Sequence, residues 1–288
     1  MLLVAGNLVY DWIAGPVSEL AWEQTTWPES FATGIGGNGA TTAYAAARLG
    51  APVRLVTARG DDAHGAICDE RLASAGVERV YLPGLTGGTA VTMGVFRPGG
   101  ARALIHRPGV LVEAFQNVSS LRLFGAGVSW LHIGNPFAVP GLRRHAASYL
   151  REARDAGWTT SLDLGWDRLG EWMRVVGPCL PYCDWLFANA AEAQALGPFE
   201  SPATVVIKRG AGGCTVNGVS VPGVPVNAVD STGAGDSFCG AFIAAAMRGL
   251  EPLAAARVAN AYGAQSVSAA GATTALQGWD SVGAARLR

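Results

Sequence analysis

Asp230 to Asp236 read DSTGAGD, residue types that can hold an anion and move a proton within one turn. Asp230, Ser231 and Thr232 are turn and cap formers, and Gly233, Ala234 and Gly235 are small enough for a backbone to wrap a charged group. The apolar run Phe238 to Met247 continues as a helix, whose free N–H groups and dipole favour negative charge at its start. Asp236 places a carboxylate beside that anion hole. The pairing suits phosphoryl transfer, where a base accepts the hydroxyl proton as backbone amides take up charge on the transferring phosphate. An acidic cap on an ordinary helix would explain Asp236 alone, but not Gly-Ala-Gly.

A second glycine set lies in TGIGGNGATTAYAAARLG, Thr33 to Gly50, where Gly34, Gly36 and Gly39 spell G-x-G-x-x-G. In a dinucleotide fold that turn directly follows a parallel strand. The preceding WPESFATG, with Pro28, Glu29 and Ser30, is poor material for such a strand, and none is expected there. The first strand candidate is LLVAG, Leu2 to Gly6. Asp61 and Asp62 stand at a distance suited to a ribose ligand, which keeps a dehydrogenase as a lesser alternative.

The elements that must position these turns alternate. Strand-like LLVA, VRLVTA, VSWLHIG, TTSLDLG, DWLFAN and TVVIKRG are separated by helix-like runs. Among these are the residues after Thr41, Gly65 to Ala75, and the amphipathic LRRHAASYLREARDAG ending at Gly157. Right-handed crossovers of this kind build a doubly wound, mostly parallel α/β sheet with helices on both faces. Two stretches, about 8–32 and 87–108, lack helical period, and the second reads as two strands around a Pro98-Gly99 turn. They predict a small β lid attached to one domain over residues 1–288.

Half of the 288 residues are hydrophobic, enough for a large core. Lys plus Arg number 21 against 22 for Asp plus Glu, so no overall field draws a nucleic acid or an anionic membrane, and a small-molecule ligand is expected. No apolar run approaches a membrane span, and no basic segment precedes the first apolar run, which predicts a cytoplasmic protein. The scattered Cys68, Cys179, Cys183, Cys214 and Cys239 predict free thiols. Cys179 and Cys183 lack a second ligand pair at zinc-finger spacing.

The order of motifs resembles the ribokinase-like carbohydrate kinases, also called the phosphofructokinase B family. It runs from GNLVYD, Gly6 to Asp11, through GGNGATTAYAAARLG, RGDDAHG and NAAE to IKRGAGG, DSTGAGD and ANAYGAQSVSAAGA. The resemblance implies a ribokinase-like fold with a β lid, ATP and Mg2+ as cofactors, and transfer of the γ-phosphate to a hydroxymethyl group of a sugar or sugar-like molecule. By the same resemblance Asp236 is the general base and Gly233, Ala234 and Gly235 are the anion hole. Asp11 accepts bonds from sugar hydroxyls, and the paired Gly36 and Gly37 let a sugar approach the backbone. Asn189 and Glu192 place magnesium and phosphate through water, Gly210 to Gly213 lie beneath the nucleotide, and Asn260 borders adenine. Asp230 stands where several members hold a monovalent cation such as K+. Lids in this family sometimes pair across a homodimer. Two departures stand out. Thr41 replaces an Asn of many ribokinases, which alters a sugar contact, and Lys208 replaces a Thr, so that its ammonium reaches ATP phosphates or else is a solvated surface charge.

Further candidates come from the residues themselves. Asp163 ends a strand on the side where α/β ligands bind. His132 reads as a satisfied strand-end histidine, and Trp12 as lid packing. In the lid, two-residue alternation places Ala103, Ile105 and Arg107 on one face and Arg102, Leu104 and His106 on the other. Arg107 on an apolar face is then a candidate substrate contact that favours a sugar acid or ketose. The alternatives are a nucleoside kinase of the same family and a non-catalytic sugar-binding protein; the latter has no use for a base at Asp236.

Overall fold

The computed structural model describes residues 1–98 and 102–286. The chain opens with β1 (Leu2–Gly6), β2 (Val9–Gly15), β3 (Ser30–Gly36), α1 (Asn38–Arg48) and β4 (Val53–Thr57). Next come α2 (Ala63–Ser74), β5 (Glu78–Tyr81), β6 (Val91–Phe96), β7 (Arg102–Arg107), β8 (Trp130–Gly134) and α3 (Pro140–Asp155). Then follow β9 (Thr159–Asp163), α4 (Trp172–Val176), β10 (Trp185–Asn189), α5 (Ala190–Leu196) and β11 (Thr204–Lys208). The chain closes with β12 (Cys214–Val216), β13 (Val219–Val221), α6 (Ala234–Met247) and α7 (Pro252–Ser266).

Among the described residues, nine strands form a large sheet in the order β13-β12-β11-β10-β9-β8-β1-β4-β5. It is parallel from β5 to β11 and ends in two antiparallel strands. The central strands LLVAG and WLHIG are buried throughout, as strands covered on both faces must be. One apolar layer packs α1, α6 and α7 against the sheet around Leu49, Phe242 and Tyr262, and the other packs α3 around Tyr149 and Leu150. Order reverses between β1 and β8, which opens a crevice at their C-terminal ends, the usual ligand position of a doubly wound sheet. All five cysteines are buried and free. No helix among the described residues is long and apolar enough to cross a membrane.

A second sheet, β3-β2-β6-β7, forms the lid. Part of the expected turn between β6 and β7, at Gly99, lies outside the described residues. The first lid segment reaches further than expected: β3 runs to Gly36, so a strand does enter the glycine turn. A half-exposed lid strand tolerates Ser30, Thr33 and glycines that a buried parallel strand would not, which is why WPESFATG hides it. Because β3 pairs antiparallel with β2 and lies outside the large sheet, the turn lacks the strand setting of a dinucleotide fingerprint. Helix α1 begins at Asn38 rather than after Thr41, and α6 at Ala234 rather than near Phe238. Glycine-rich first turns conceal helix starts from propensity.

Candidate active site

Strand register gathers the site at one edge of the large sheet. Gly6, Gly134 and Asp163 align across β1, β8 and β9, and Asn189 aligns with Lys208 across β10 and β11. These ends and the start of α6 enclose a cleft of about 590 Å3. Asp236, Gly233, Ala234 and Gly235 line it, as do Asp163, Asn189, Glu192 and Lys208, with Gly210, Gly213 and Asn260 further along.

Gly233 caps α6 in a left-handed conformation, φ 70, and Asp236 follows in the first turn. The Thr42 hydroxyl donates to the Asp236 carbonyl at 3.2 Å, which ties α6 to α1. Asn38 Nδ2 donates to Asp236 Oδ1 at 2.7 Å, and Asn135 Nδ2 donates to Asn38 Oδ1 at 2.9 Å. Burial pushes the Asp236 carboxyl up to about 7; the Asp163 charge adds to the rise, and the Lys208 ammonium and the Asn38 bond oppose it. A base tuned near neutrality is the kind that general-base catalysis needs. Asn38 and Asn135 escaped the sequence reading. Their signals were the first polar residue after the paired glycines and the first after a buried strand's C-terminal end.

Lys208 is no solvated surface charge. Its Nζ donates to both Asp163 oxygens, at 2.7 and 2.9 Å, and would lie 3.3 Å from a Cβ on Gly235, so it stands beneath the turn Gly233 to Gly235. Burial, the largest single influence, would lower the Lys208 pKa, but Asp163 together with Cys239, Glu192 and Asp236 outweighs it and the value is raised. Cys239 Sγ donates to Asp163 Oδ2 at 3.4 Å. On α5, Asn189 and Glu192 form a reciprocal capping box: Glu192 Oε2 accepts the Asn189 N–H and Asn189 Oδ1 accepts the Glu192 N–H, both at 2.8 Å. Burial, with the Asp163 charge, raises the Glu192 pKa.

Of the described lid residues, Arg102 lines this cleft, whereas Asp11, Gly36, Gly37 and Thr41 are not among its lining residues. Asp11 is buried on β2, in one cross-strand row with Thr92 and His106. Its carboxyl is pushed up to about 7, first by burial, against a bond from Thr92 and with a contribution from Asp236. A Cβ on Gly36 would overlap the Asp11 carboxylate, and Gly37, with φ 86, would set one 2.7 Å from the Asn7 carbonyl. These close approaches leave no room for a side chain at either of the paired glycines. Thr41 is fully buried, and its Cγ2 would stand 3.2 Å from a Cβ on Gly233, so it packs beneath the Gly233 turn.

The expectation for Arg107 is corrected. It belongs to the face opposite Asp11, and its Nη2 donates to the Thr89 carbonyl at 3.1 Å. The alternation was read properly, but the apolar face of β7 looks away from the site. Arg102 shares the face of Asp11 and His106, lines the cleft, and donates from Nη1 to Thr232 Oγ1 at 3.2 Å. Asp230 is buried and spends its oxygens locally: Oδ1 accepts from Thr232 N at 2.9 Å and Oγ1 at 2.7 Å, and Oδ2 accepts from Gly271 N at 2.8 Å. Asn260 donates to the carbonyls of Val221 and Pro222, at 3.2 and 2.9 Å. Asp62 caps α2 through the Gly65 N–H at 2.8 Å. His132 lies within β8, where burial depresses it to about 4 and Nδ1 meets Ser161 Oγ at 2.9 Å, a neutral core residue. Trp12 stands edge-on to Phe31 at 5.6 Å on the outer lid face.

Known proteins share this fold. A profile of the pfkB family carbohydrate kinases matches residues 1–278. An ATP-dependent ribose-1-phosphate kinase of Halopiger xanaduensis is 34% identical over 258 residues, covering 83% of this chain and 82% of that one. A Bacillus subtilis ribokinase is 26% identical over 278 residues, with 86% of each chain covered. The structure of an Arabidopsis thaliana ribokinase complexed with ribose and ATP superposes with a TM-score of 0.79 at 22% identity, covering 100% of this chain and 98% of that one. With a matching profile over nearly all its length and motifs that meet in one cleft, the chain belongs to the pfkB family of carbohydrate kinases.

Proposed function

We propose that this chain transfers the γ-phosphate of ATP to the hydroxymethyl group of a ribose-type sugar, with Asp236 as general base. The observation that carries the reading is a carboxyl poised near 7 in the first turn of α6, beside Gly233 to Gly235 and above a buried ammonium. In this reading Asp236 takes the hydroxyl proton, the turn's amides face the transferring phosphate, and Lys208 supplies a fixed positive charge beneath it. Asp11, Gly36 and Gly37 form the sugar wall, with Thr41 behind it, and Asp163 acts by holding Lys208. The names of the Halopiger and Bacillus relatives support a ribose-type acceptor.

The cleft fits a nucleotide. Beyond Lys208 it is walled by small and apolar groups, including Gly210, Gly213, Val224, Val226, Gly263 and Ala264, with Asn260 among them, which suits a planar base. Among the described residues no three acidic, His or Cys side chains converge to hold a metal. Glu192 and Asn189 offer hard oxygen at the phosphate end, a set that fits magnesium bound chiefly by water and phosphate. Magnesium supplies neutralisation of phosphate charge there. Asp230 would hold K+ only with lone pairs left over from its three donors. The exposed lid row Trp12, Met93 and Ile105 is where two lids would pair in a homodimer. We place the enzyme in the cytoplasm, as one unit over 1–288 whose lid is its excursion.

Glu192→Gln tests the magnesium role. The amide oxygen can still accept the Asn189 N–H, so the cap survives, while the half-saturating magnesium concentration should rise about tenfold. Rate against free magnesium measures it, and an unchanged dependence removes Glu192 from the metal site. The acceptor is tested by kcat/KM for ribose, ribose 1-phosphate, fructose, 2-keto-3-deoxygluconate and adenosine. Ribose or its 1-phosphate should lead. Adenosine ahead by about tenfold, roughly 1.4 kcal/mol, would replace the sugar acceptor by a nucleoside.

A further inference from the structure

Asn135 follows β8 at the crevice where strand order reverses, with φ 55, a left-handed backbone uncommon outside glycine. Its Oδ1 lies 3.0 Å from the Ala138 N–H. That group can only donate, so the facing atom is the amide oxygen. Asn135 Nδ2 must then point the other way, and it donates to Asn38 Oδ1 at 2.9 Å. Asn38 in turn has only its nitrogen left for Asp236, to which it donates at 2.7 Å. A backbone donor at one end and an ionised carboxylate at the other admit a single orientation of the two amides between them. Space is kept for this arrangement: a Cβ on Gly165, itself at φ 66, would overlap the Asn135 amide.

We infer that Asn135, which does not touch Asp236, is a positioning residue for it: through Asn38 it keeps a donor on Asp236 Oδ1 and leaves Oδ2 to take the acceptor's proton. The inference rests on Asp236 being the base of the proposed reaction. The other groups acting on Asp236 are charged or ionisable: Asp163 from β9, Glu192 from α5, Lys208 from β11, Cys239 from the next turn of α6 and Asp11 from the lid. Among three carboxylates, a fixed amide donor favours the ionised form of the base without adding charge.

The test is carboxyl titration of Asp236 by 13C NMR in aspartate-labelled protein, assigned with Asp236→Asn. It reads the relay independently of any activity, so failure of the relay and failure of the kinase reading are told apart. Asn135→Asp tolerates the left-handed backbone and keeps an oxygen for the Ala138 N–H, but it presents a second oxygen to Asn38. Asn38 then turns its nitrogen toward the new carboxylate and its oxygen toward Asp236. The Asp236 midpoint should rise by about one unit or more, the scale of one hydrogen bond to a charged group. At pH 7 kcat should fall about fivefold or more, since fewer bases are ionised, with KM for ATP within about threefold. Asn38→Leu should raise the midpoint by itself, and adding Asn135→Asp to it should change little, within about 0.3 unit. Asn135→Gly, which keeps the backbone and leaves Asn38 free to retain its contact, should shift the midpoint less than Asn135→Asp. An unmoved midpoint in Asn135→Asp overturns the relay. So does the same increment in the Asn38→Leu background, which would show a direct field effect of the added charge.

Discussion

Asp236→Asn is expected to lower kcat by about a hundredfold or more while ATP affinity stays within a few fold. The substitution preserves size and an oxygen for the Asn38 bond, so the start of α6 keeps its geometry and only the base is lost. The pH profile adds a second readout. A base works ionised, so wild-type kcat should fall as pH drops through about 7, where burial and the Asp163 charge place this carboxyl. The residual rate of the variant should lose that inflection. Steady-state kinetics across neutral pH make the comparison, and near-normal turnover in Asp236→Asn would reduce the residue to a helix cap.

Lys208→Met should damage both stability and turnover. It removes the ammonium that satisfies Asp163 in a buried pair at 2.7 Å and strands the carboxylate, a change that typically costs about 3–5 kcal/mol. For a chain of this size that is on the order of a 10 °C loss in Tm. Turnover should fall too, because the positive charge beneath Gly235 goes and the nearby carboxylates are left to raise the Asp236 pKa further. The double change Lys208→Met with Asp163→Asn separates the effects. It should recover most of the lost Tm, since no buried charge is stranded, yet leave kcat low, since no cation faces the phosphate. Full recovery of kcat in the double variant would make Lys208 a purely structural partner of Asp163.

The parts of the site that lie within one turn were legible in the residues. DSTGAGD carries its own glycines and carboxylate, so local chemistry named it, whereas Asn189 and Glu192 of NAAE were named by the resemblance and their capping box emerged only in the structure. Alternating strands and helices likewise disclosed the doubly wound sheet, because buried parallel strands such as LLVAG are continuous apolar runs. Pairings that depend on strand order stayed hidden. Lys208 and Asp163 are 45 residues apart and meet only because β9, β10 and β11 are neighbours. Asn38 reaches Asp236 across 198 residues of chain because α1 and α6 pack together on one face of the sheet. The lid was harder still: alternation sorted the β7 residues into two faces, but which face shared the side of Asp11 was fixed by pairing to β2 through β6. That is how Arg107 was favoured where Arg102 stands at the cleft.

The most direct measurement is 31P NMR of enzyme incubated with ATP, magnesium and, separately, ribose and ribose 1-phosphate. The expected result is a new phosphomonoester whose phosphorus couples to the hydroxymethyl protons of one of these sugars, formed by wild type and not on the same timescale by Asp236→Asn. ATP consumed to inorganic phosphate alone, a phosphorus coupled to some other carbon's proton, or equal product from Asp236→Asn would contradict transfer to a hydroxymethyl group by this base.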